Sequence, residues 1–512
     1  MFLTGLGQSW KQQFIAVLIG GFGALFPVIL FVDRYIDDFS RSIRGHLNWV
    51  SVGRPLADEV FSLVNFGRPA VAVAPLHTVL AIVLLAFAGL MFARAYGLRS
   101  PFWSAVVVLP LLAQPYGLEN LSYGFDSFFM ALSVSLSILS ALVVQAGGGA
   151  TSFVVAVLML VSALSLYQPG ANGFIPVAGF LVISGELRLL SGALSEMLLR
   201  MRLLRTFSAL SAALIVYKAI TMIYQGEMSG YAEAAGELVK YQDIFSGGFV
   251  HTFFEPWLIA WGDFGHGLIC LPIIFLVLTY CFLIFNCVPF LRGVVLIVSA
   301  VLIALGSPGP LLFLKSSMFG VPRVMLFFGP LVMAIAVQVI ALSRKPIRLM
   351  NAKISIYLAR ASVLIFGWLL IVFSYAYGHA FSAQSDFERL KITQLITAVS
   401  SFQARDPYEK FDFIAIDGQM PSSPVLVNTS KKFPLIDRLV PRLIDNNWSH
   451  GRHQLSLSGL HLEGSKWNEE AEESLPSCFS SQAMCRNDFQ LFRINANTLL
   501  MRLLPVELTI KP

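Results

Sequence analysis

Long apolar stretches separated by short polar segments dominate the first 380 residues of the chain. Apolar windows of about twenty residues can cross the roughly 30 Å hydrocarbon core of a bilayer, so each such window predicts a membrane-spanning helix. Eleven windows occur, near 14–32, 75–93, 101–115, 126–146, 152–166, 173–190, 206–224, 266–287, 293–307, 323–342 and 361–379. The pattern therefore predicts an all-α polytopic membrane protein with about eleven transmembrane helices.

The pattern changes after residue 380, where charges are dense, prolines recur and no apolar run has membrane length. We therefore expect a transmembrane domain at 1–380 and a small soluble domain at 381–512. Phe411–Gly418 alternates like a strand that ends in a turn, and Phe433–Ile444 has helical spacing. The second domain is therefore predicted to be a small α/β module.

Composition agrees with a membrane protein, since 56% of the residues are hydrophobic and 13% are charged, against about a quarter charged in soluble domains. No nucleic-acid motif accompanies the net charge of +6, so no nucleic-acid partner is expected. The basic residues instead collect in alternate loops: Arg94, Arg99, Arg188, Arg200, Arg202, Arg205, Arg292, Arg344, Lys345, Arg348, Lys353 and Arg360. The positive-inside rule makes this side cytoplasmic, with the N-terminus inside and the C-terminal domain outside. There Cys478 and Cys485, with six residues between them, suit a small-loop disulfide.

The exit of the first apolar stretch is unusually polar: Asp33, Arg34, Asp37, Asp38 and Arg41 lie within nine residues. If the helix continued, Asp33 and Asp37 would share a face, followed by Arg41, Arg44 and Asn48. An ordinary interpretation exists, because a surface ion pair between Asp37 and Arg41 would contribute about 0.3–0.5 kcal/mol. Polar groups continue to Pro55, however, which is more than a connecting loop requires and favours a catalytic role.

Transfer of a sugar from a lipid-linked phosphate needs such a set of groups. One carboxylate can take the proton from the acceptor hydroxyl, and cations can stabilise the departing phosphate. A phosphate leaving group needs no general acid, unlike the leaving alcohol of a glycoside hydrolase. One base is therefore sufficient.

At these positions the chain resembles the bacterial and phage-encoded O-antigen glucosyltransferases of the type II serotype-converting class. The resemblance covers about the first 340 residues. Its motifs are Asp37-Asp38-Phe39-Ser40-Arg41, Asn48-Trp49, Gly53-Arg54-Pro55-Leu56, Glu119-Asn120-Leu121-Ser122-Tyr123, Phe125-Asp126-Ser127, Ser165-Leu166-Tyr167-Gln168-Pro169 and Pro322-Arg323.

The resemblance implies a C-type glycosyltransferase fold in the bacterial inner membrane, with the first periplasmic loop supplying the acidic residue that acts in catalysis. It also implies a polyprenyl-phosphate donor, typically undecaprenyl-phosphate glucose, and a lipid-linked polysaccharide as acceptor, so that lipopolysaccharide modification would convert the serotype. Asp37 or Asp38 would be the base. Asp38 is the first choice, because in a helix Asp37 is better spaced to pair with Arg41.

Substrate-binding residues are expected near the outer boundary of the membrane. Candidates for the phosphate are Arg41, Arg44, Arg54, Lys315 and Arg323, since guanidinium groups bind phosphate oxygens in pairs. Candidates for the rest of the substrate are Trp49, Asp126, Tyr167 and Gln168. The ordinary alternatives are snorkelling for the cations and a helix-capping role for Asp126.

No cofactor is expected, although some C-type enzymes use a divalent ion. His251, Glu255, Asp263 and His266 do not form a recognised metal motif. A transporter or flippase of lipid-linked sugars is the alternative class, but such proteins often have repeated halves, and no internal repeat is found here. A polysaccharide polymerase would use a different, Arg-centred external loop.

Overall fold

The computed structural model describes residues 8–504 apart from 147–148, 190–195, 225–228, 231–233, 235, 241–246, 345–351, 405–409, 447–448, 466–474 and 479. Lys345 and Arg348, which contribute to the predicted orientation, lie outside the described residues. The chain forms two compact units. Unit one comprises Met1–Leu30, Leu47–Arg68 and Val73–Tyr375, and unit two comprises Phe31–His46, Pro69–Ala72 and Ala376–Pro512.

Every predicted apolar window is helical. The helices are Gln8–Phe31, Leu76–Ala95, Pro101–Leu112, Ser127–Ala146, Ala150–Leu166, Phe174–Leu189, Glu196–Ile223, Cys270–Cys287, Phe290–Gly306, Phe328–Leu342 and Ala352–Gln403. In the described part of the chain, 7 helices are long and apolar enough to cross a membrane. The shorter apolar helices are Pro101–Leu112, Ala150–Leu166, Phe290–Gly306 and Phe328–Leu342. The prediction of a mainly helical protein is confirmed, and several of its helices are long and apolar enough to cross a membrane.

Short helices in unit one carry the polar motifs. They are Pro55–Val64, Gly117–Ser122, Gln168–Ala171 and the 3-10 turns Val50–Val52, Gly309–Phe313 and Pro322–Val324. Several begin with proline in the first turn, where the missing N–H has no helical partner to lose. Gly247–Phe264 is also helical and exposes Phe254, Leu258 and Trp261 at spacings of four and three, so these side chains share one apolar face.

The helix Ser127–Ala146 is central to the packing of unit one, where it lies against Leu76–Ala95 and Ala150–Leu166. Small hydroxyl side chains permit the close contact. Ser133 Oγ donates to the carbonyls of Ala163 and Tyr167, both at 2.8 Å. Such hydrogen bonds between apolar helices fix their register where the hydrophobic effect does not.

Unit two contains a five-stranded sheet in the order β2-β1-β5-β4-β3. The strands are β1 Phe413–Asp417, β2 Glu463–Gly464, β3 Ala483–Cys485, β4 Phe489–Asn495 and β5 Thr498–Leu503. β1 pairs in parallel with β2 and β5, and β4 pairs antiparallel with β3 and β5. Its helices are Asp37–Arg44, Pro424–Lys432, Pro434–Leu439 and Ser449–Leu457, with the C-terminal part of Ala352–Gln403. The predicted strand at Phe411–Gly418 is confirmed.

Two further features of unit two test the sequence predictions. The helix predicted over Phe433–Ile444 ends at Leu439, because Pro441 disfavours helical backbone at Val440, which is extended. Cys478 and Cys485 form the predicted disulfide. The core of the unit joins Leu395 and Phe402 of the long helix to apolar side chains of the sheet.

Candidate active site

The aspartate motif belongs to unit two. The first helix ends at Phe31, and a separate helix begins at Asp37, so a continuous helix through Asp33 does not form. Ile36 between them has a φ of +35°, a value that L-residues rarely adopt. Asp33 instead forms an exposed ion pair with its neighbour Arg34 at 3.3 Å. The backbone at Ile36 therefore sets the direction of the two following aspartates.

Asp38 is buried, with 1% of its surface exposed. Its Oδ2 accepts a hydrogen bond from the backbone N–H of Tyr35 at 2.8 Å, and its own N–H donates to the carbonyl of Tyr35 at 2.8 Å. These two bonds close the turn that precedes the helix. The Asp38 carboxylate thus holds the local backbone conformation.

Asp37 differs from its neighbour, because 45% of its side chain is exposed. Its Oδ1 lies 3.6 Å from Nε2 of His450, a residue in the first turn of the helix Ser449–Leu457. A carboxylate that is both accessible and held on one side is suited to accept a proton. Of the two aspartates, Asp37 therefore has the carboxylate that an incoming hydroxyl group can reach.

Cationic side chains surround this aspartate in unit two. Arg41 and Arg44 lie on the same short helix as Asp37, and Arg41 is buried. Burial, followed by the charges of Arg41 and Arg44, lowers the pKa of His46, whereas Asp37 raises it. Burial, then the charges of Arg44, His450, Arg452 and His46, lowers the pKa of His453 to about 4. The neighbourhood of Asp37 is therefore rich in positive charge and favours anionic groups.

A second group of predicted residues lies together in unit one, around the turn that carries Arg54. Gly53 adopts a φ of +74°, and Pro55 begins the next helix, so the backbone on both sides of Arg54 is restricted. Gln168 Nε2 donates to the carbonyls of Val52 at 3.2 Å and Gly53 at 3.0 Å. The Gly53 and Pro55 flanks and the Gln168 amide thus fix the backbone turn that carries Arg54.

Asp126 lies opposite this turn. Its two carboxylate oxygens accept the indole N–H of Trp49 at 3.1 and 3.2 Å, and Oδ2 lies 3.8 Å from Nη1 of Arg54. The guanidinium of Arg54 stacks over the ring of Tyr167 at 4.5 Å. Five of the predicted substrate-binding residues, Trp49, Arg54, Asp126, Tyr167 and Gln168, therefore form one polar cluster. The Arg54 side chain in it is 17% exposed.

Arg323 and Glu119 form a second ion pair in unit one. Its backbone N–H donates to Oε2 of Glu119 at 2.7 Å, and Nη1 lies 3.3 Å from Oε1 of the same carboxylate. Nη1 also donates to the hydroxyl of Tyr123. The Tyr167 hydroxyl donates to the carbonyl of Arg323 at 3.0 Å, which links this pair to the Arg54 cluster.

Lys315 is not part of this network as the structure describes it. Its Nζ forms an exposed ion pair with Glu237 at 2.7 Å, and the backbones of the two residues are also joined. An exposed pair of this kind contributes about 0–1 kcal/mol. Its predicted contact with phosphate stays a prediction.

Three participants were not predicted as site residues. The Tyr217 hydroxyl donates to the Gly53 carbonyl at 2.8 Å and accepts from Gln168 at 2.9 Å. Asp58 Oδ1 accepts the backbone N–H of Trp49 at 2.8 Å. A tyrosine inside an apolar window was the available signal for Tyr217, whereas His450 had none, because its partner Asp37 is over 400 residues away in sequence.

The segment from His251 to His266 carries the side chains that could be drawn as metal ligands. Tyr116 donates its hydroxyl to Asp263 at 2.7 Å, so this carboxylate holds a neighbouring tyrosine. Across the described residues, no group of three or more His, Cys, Asp or Glu is arranged to hold a metal ion.

Comparison with known proteins identifies the family. Residues 26–334 match the family model described as glucosyl transferase GtrII. A Salmonella phage P22 protein, described as an uncharacterized 55.3 kDa protein in the gtrB 5' region, is 32% identical over 169 residues. That match covers 33% of this chain and 34% of the phage protein, so the chain spans only about a third of this relative's length. No solved structure matches the chain. Because the family model covers more than half of the 512 residues, the chain belongs to the glucosyl transferase GtrII family.

Proposed function

We propose that this protein is an integral-membrane glycosyltransferase that moves glucose from a polyprenyl-phosphate donor to a lipid-linked O-antigen or similar cell-surface polysaccharide. The observation that carries the proposal is family membership, because the matched residues 26–334 include the aspartate motif, Arg54 and Arg323. The gtrB region named for the phage relative supports a role in serotype conversion.

Asp37 is the proposed base. It takes the proton of the acceptor hydroxyl while the hydroxyl oxygen bonds to C1 of the sugar. The bond from C1 to the phosphate oxygen breaks, its electron pair leaves with the polyprenyl phosphate, and the configuration at C1 inverts. The exposure of Asp37 supports this role, and the hydrogen bond between Asp38 and the Tyr35 backbone supports a structural role for Asp38.

Cations are needed where negative charge develops on the leaving phosphate. Arg41 and Arg44 are the candidates in unit two, since they lie on the same helix as Asp37. In unit one, Arg54 and Arg323 are proposed to bind anionic groups of a substrate. Each is partly exposed, and each is held by a buried carboxylate and a tyrosine ring.

We also propose that the protein has a C-type glycosyltransferase fold with eleven membrane spans and lies in the bacterial inner membrane. The N-terminus would lie in the cytoplasm, and the C-terminal domain and reaction would lie in the periplasm. Seven long and four shorter apolar helices support this arrangement. The Cys478–Cys485 disulfide supports an oxidising compartment for the domain.

A transfer assay tests this function. Membranes containing the full chain are incubated with radiolabelled undecaprenyl-phosphate glucose and O-antigen lipopolysaccharide, and a parallel reaction receives a nucleotide-linked glucose. We expect label to pass only from the lipid donor. The Asp37→Asn variant should transfer glucose about 10²- to 10⁴-fold more slowly than wild type. Asp33→Asn is the control: Asp33 lies in the same loop but pairs with Arg34, so this variant should keep the wild-type rate.

Two results would overturn the proposal. Transfer from the nucleotide sugar but not from the lipid donor would exclude the proposed donor class. Equal rates for wild type and Asp37→Asn, with both proteins inserted in the membrane, would exclude Asp37 as the base.

A further inference from the structure

We propose that His450 is a positioning residue for Asp37, so that the C-terminal domain completes the active site. The inference rests on the proposed function, in which Asp37 is the base. His450 lies beyond residues 26–334, the segment by which the family is recognised. The C-terminal domain would therefore act in the reaction itself.

The contact between the two side chains is direct. His450 Nε2 lies 3.6 Å from Asp37 Oδ1, and the imidazole is 13% exposed while the carboxylate is 45% exposed. The histidine thus approaches from the protein side. It lies beside Oδ1, and Oδ2 is the oxygen proposed to face the hydroxyl of an acceptor.

The backbone around His450 brings its helix close to the rest of unit two. The helix Ser449–Leu457 packs against the helix Asp37–Arg44. A Cβ added at Gly451 would lie 2.8 Å from the carbonyl oxygen of Leu443 and 2.9 Å from Cα of Ile444, closer than side chains tolerate. Leu455 is buried in the core of the unit. Glycine at 451 is therefore required for this placement of His450.

The aspartate segment is attached to the C-terminal domain at a second, independent point. Tyr35 donates its hydroxyl to the carbonyl of Leu439 at 2.9 Å, and its ring stacks on Phe381 at 6.2 Å. Asp38 in turn binds the backbone N–H of Tyr35. This chain of contacts fixes the backbone of the helix start, and His450 fixes the side chain of Asp37.

A base needs this kind of restraint. An aspartate in a first helical turn has several accessible rotamers, and displacement of a reacting group by about 1 Å can lower a rate about 100-fold. A neighbour that holds one carboxylate oxygen keeps the other aimed at the substrate. Loss of His450 should therefore lower kcat without removing a contact to the substrate.

The test compares His450→Leu with His450→Gln in the full chain. The leucine side chain has no polar atom, whereas the glutamine amide reaches the position of Nε2. We expect His450→Leu to lower kcat about 10- to 100-fold with little change in the KM of the lipid donor, and His450→Gln to restore kcat to within a few-fold of wild type. His461→Leu is the matched control, because His461 lies in the same unit and binds Ser456.

Unfolding midpoints of all variants are measured alongside, so that loss of folding is separated from loss of positioning. A wild-type kcat for His450→Leu would overturn the inference. A loss that His450→Gln does not recover, or that appears in KM alone, would overturn it too. If wild type transfers glucose and Asp37→Asn does not, these failures concern His450 only; if wild type transfers no glucose from the lipid donor, the proposed function itself fails.

Discussion

Replacement of Asp38 tests whether the two adjacent aspartates have different roles. Asp38→Ala removes a buried acceptor of the Tyr35 N–H, and at 1% exposure water cannot easily replace it. A buried donor left without a partner costs about 1–3 kcal/mol. Asp38→Asn keeps an oxygen for the Tyr35 N–H and replaces the other carboxylate oxygen by an amino group, so it should cost about 1 kcal/mol.

These free energies translate into measurable shifts. Asp38 lies in unit two. For a unit of that size, a loss of 1 kcal/mol in the free energy of unfolding lowers the unfolding midpoint by roughly 2–4 °C. Asp38→Ala should therefore lower the midpoint by roughly 2–12 °C and Asp38→Asn by roughly 2–4 °C. Asp37→Asn should leave it nearly unchanged, because the Asp37 side chain is 45% exposed and its contact with His450 is long.

The assay measures thermal unfolding of the full chain in detergent and the transfer rate per folded molecule. Asp38→Asn should retain transfer within a few-fold, whereas Asp37→Asn should not. An Asp38→Asn protein that unfolds at the wild-type temperature but transfers no glucose would refute the assignment. Asp38 would then be the base, as the sequence spacing alone suggested.

Three further predictions concern the polar clusters and the C-terminal domain. Glu119→Gln should lower the unfolding midpoint, and a double-mutant cycle with Arg323→Gln should give a coupling of about 1–3 kcal/mol; additive effects would contradict the ion pair. Gln168→Leu removes the amide donor to the Val52 and Gly53 carbonyls, while the Tyr217 hydroxyl still donates to Gly53. The less restrained Arg54 turn should raise the donor KM about tenfold, equivalent to about 1.4 kcal/mol of binding free energy, with kcat retained; an unchanged KM would contradict it. Relative to His453→Gln, wild type should lose stability as pH falls from 6.5 toward 4, because the unfolded histidine takes up its proton first; parallel pH profiles of the two midpoints would contradict it.

Features that depend on local sequence were predictable. The apolar windows became helices because about twenty apolar residues satisfy their backbone groups only by coiling on themselves. The Gly53 and Pro55 flanks fixed the Arg54 turn through backbone restrictions that act within a few residues. The Cys478–Cys485 disulfide was predictable because only a short loop separates the two cysteines. In each case the partners lie close together in the chain.

The environments of the two aspartates depend on contacts that sequence spacing does not contain. Helical spacing favoured Asp38 as the base, because it paired Asp37 with Arg41. The helix instead starts at Asp37 after a strained Ile36, and this start turns the Asp38 carboxylate back onto the Tyr35 N–H. No pattern in residues 33–41 indicates that break. The C-terminal domain stabilises this break between the two helices, because the Tyr35 hydroxyl donates a hydrogen bond to the Leu439 carbonyl.

The two ion pairs of unit one have a common design that the sequence did not reveal. In each, the carboxylate is buried while the guanidinium stays partly exposed, at 17% for Arg54 and 27% for Arg323. Burial of a carboxylate is unfavourable unless donors surround it, and the Trp49 indole supplies one to Asp126. The carboxylate thus orients the guanidinium, which stays partly exposed. Lysine would keep the charge at either position but lose the planar fork, so Arg54→Lys is not a conservative change here.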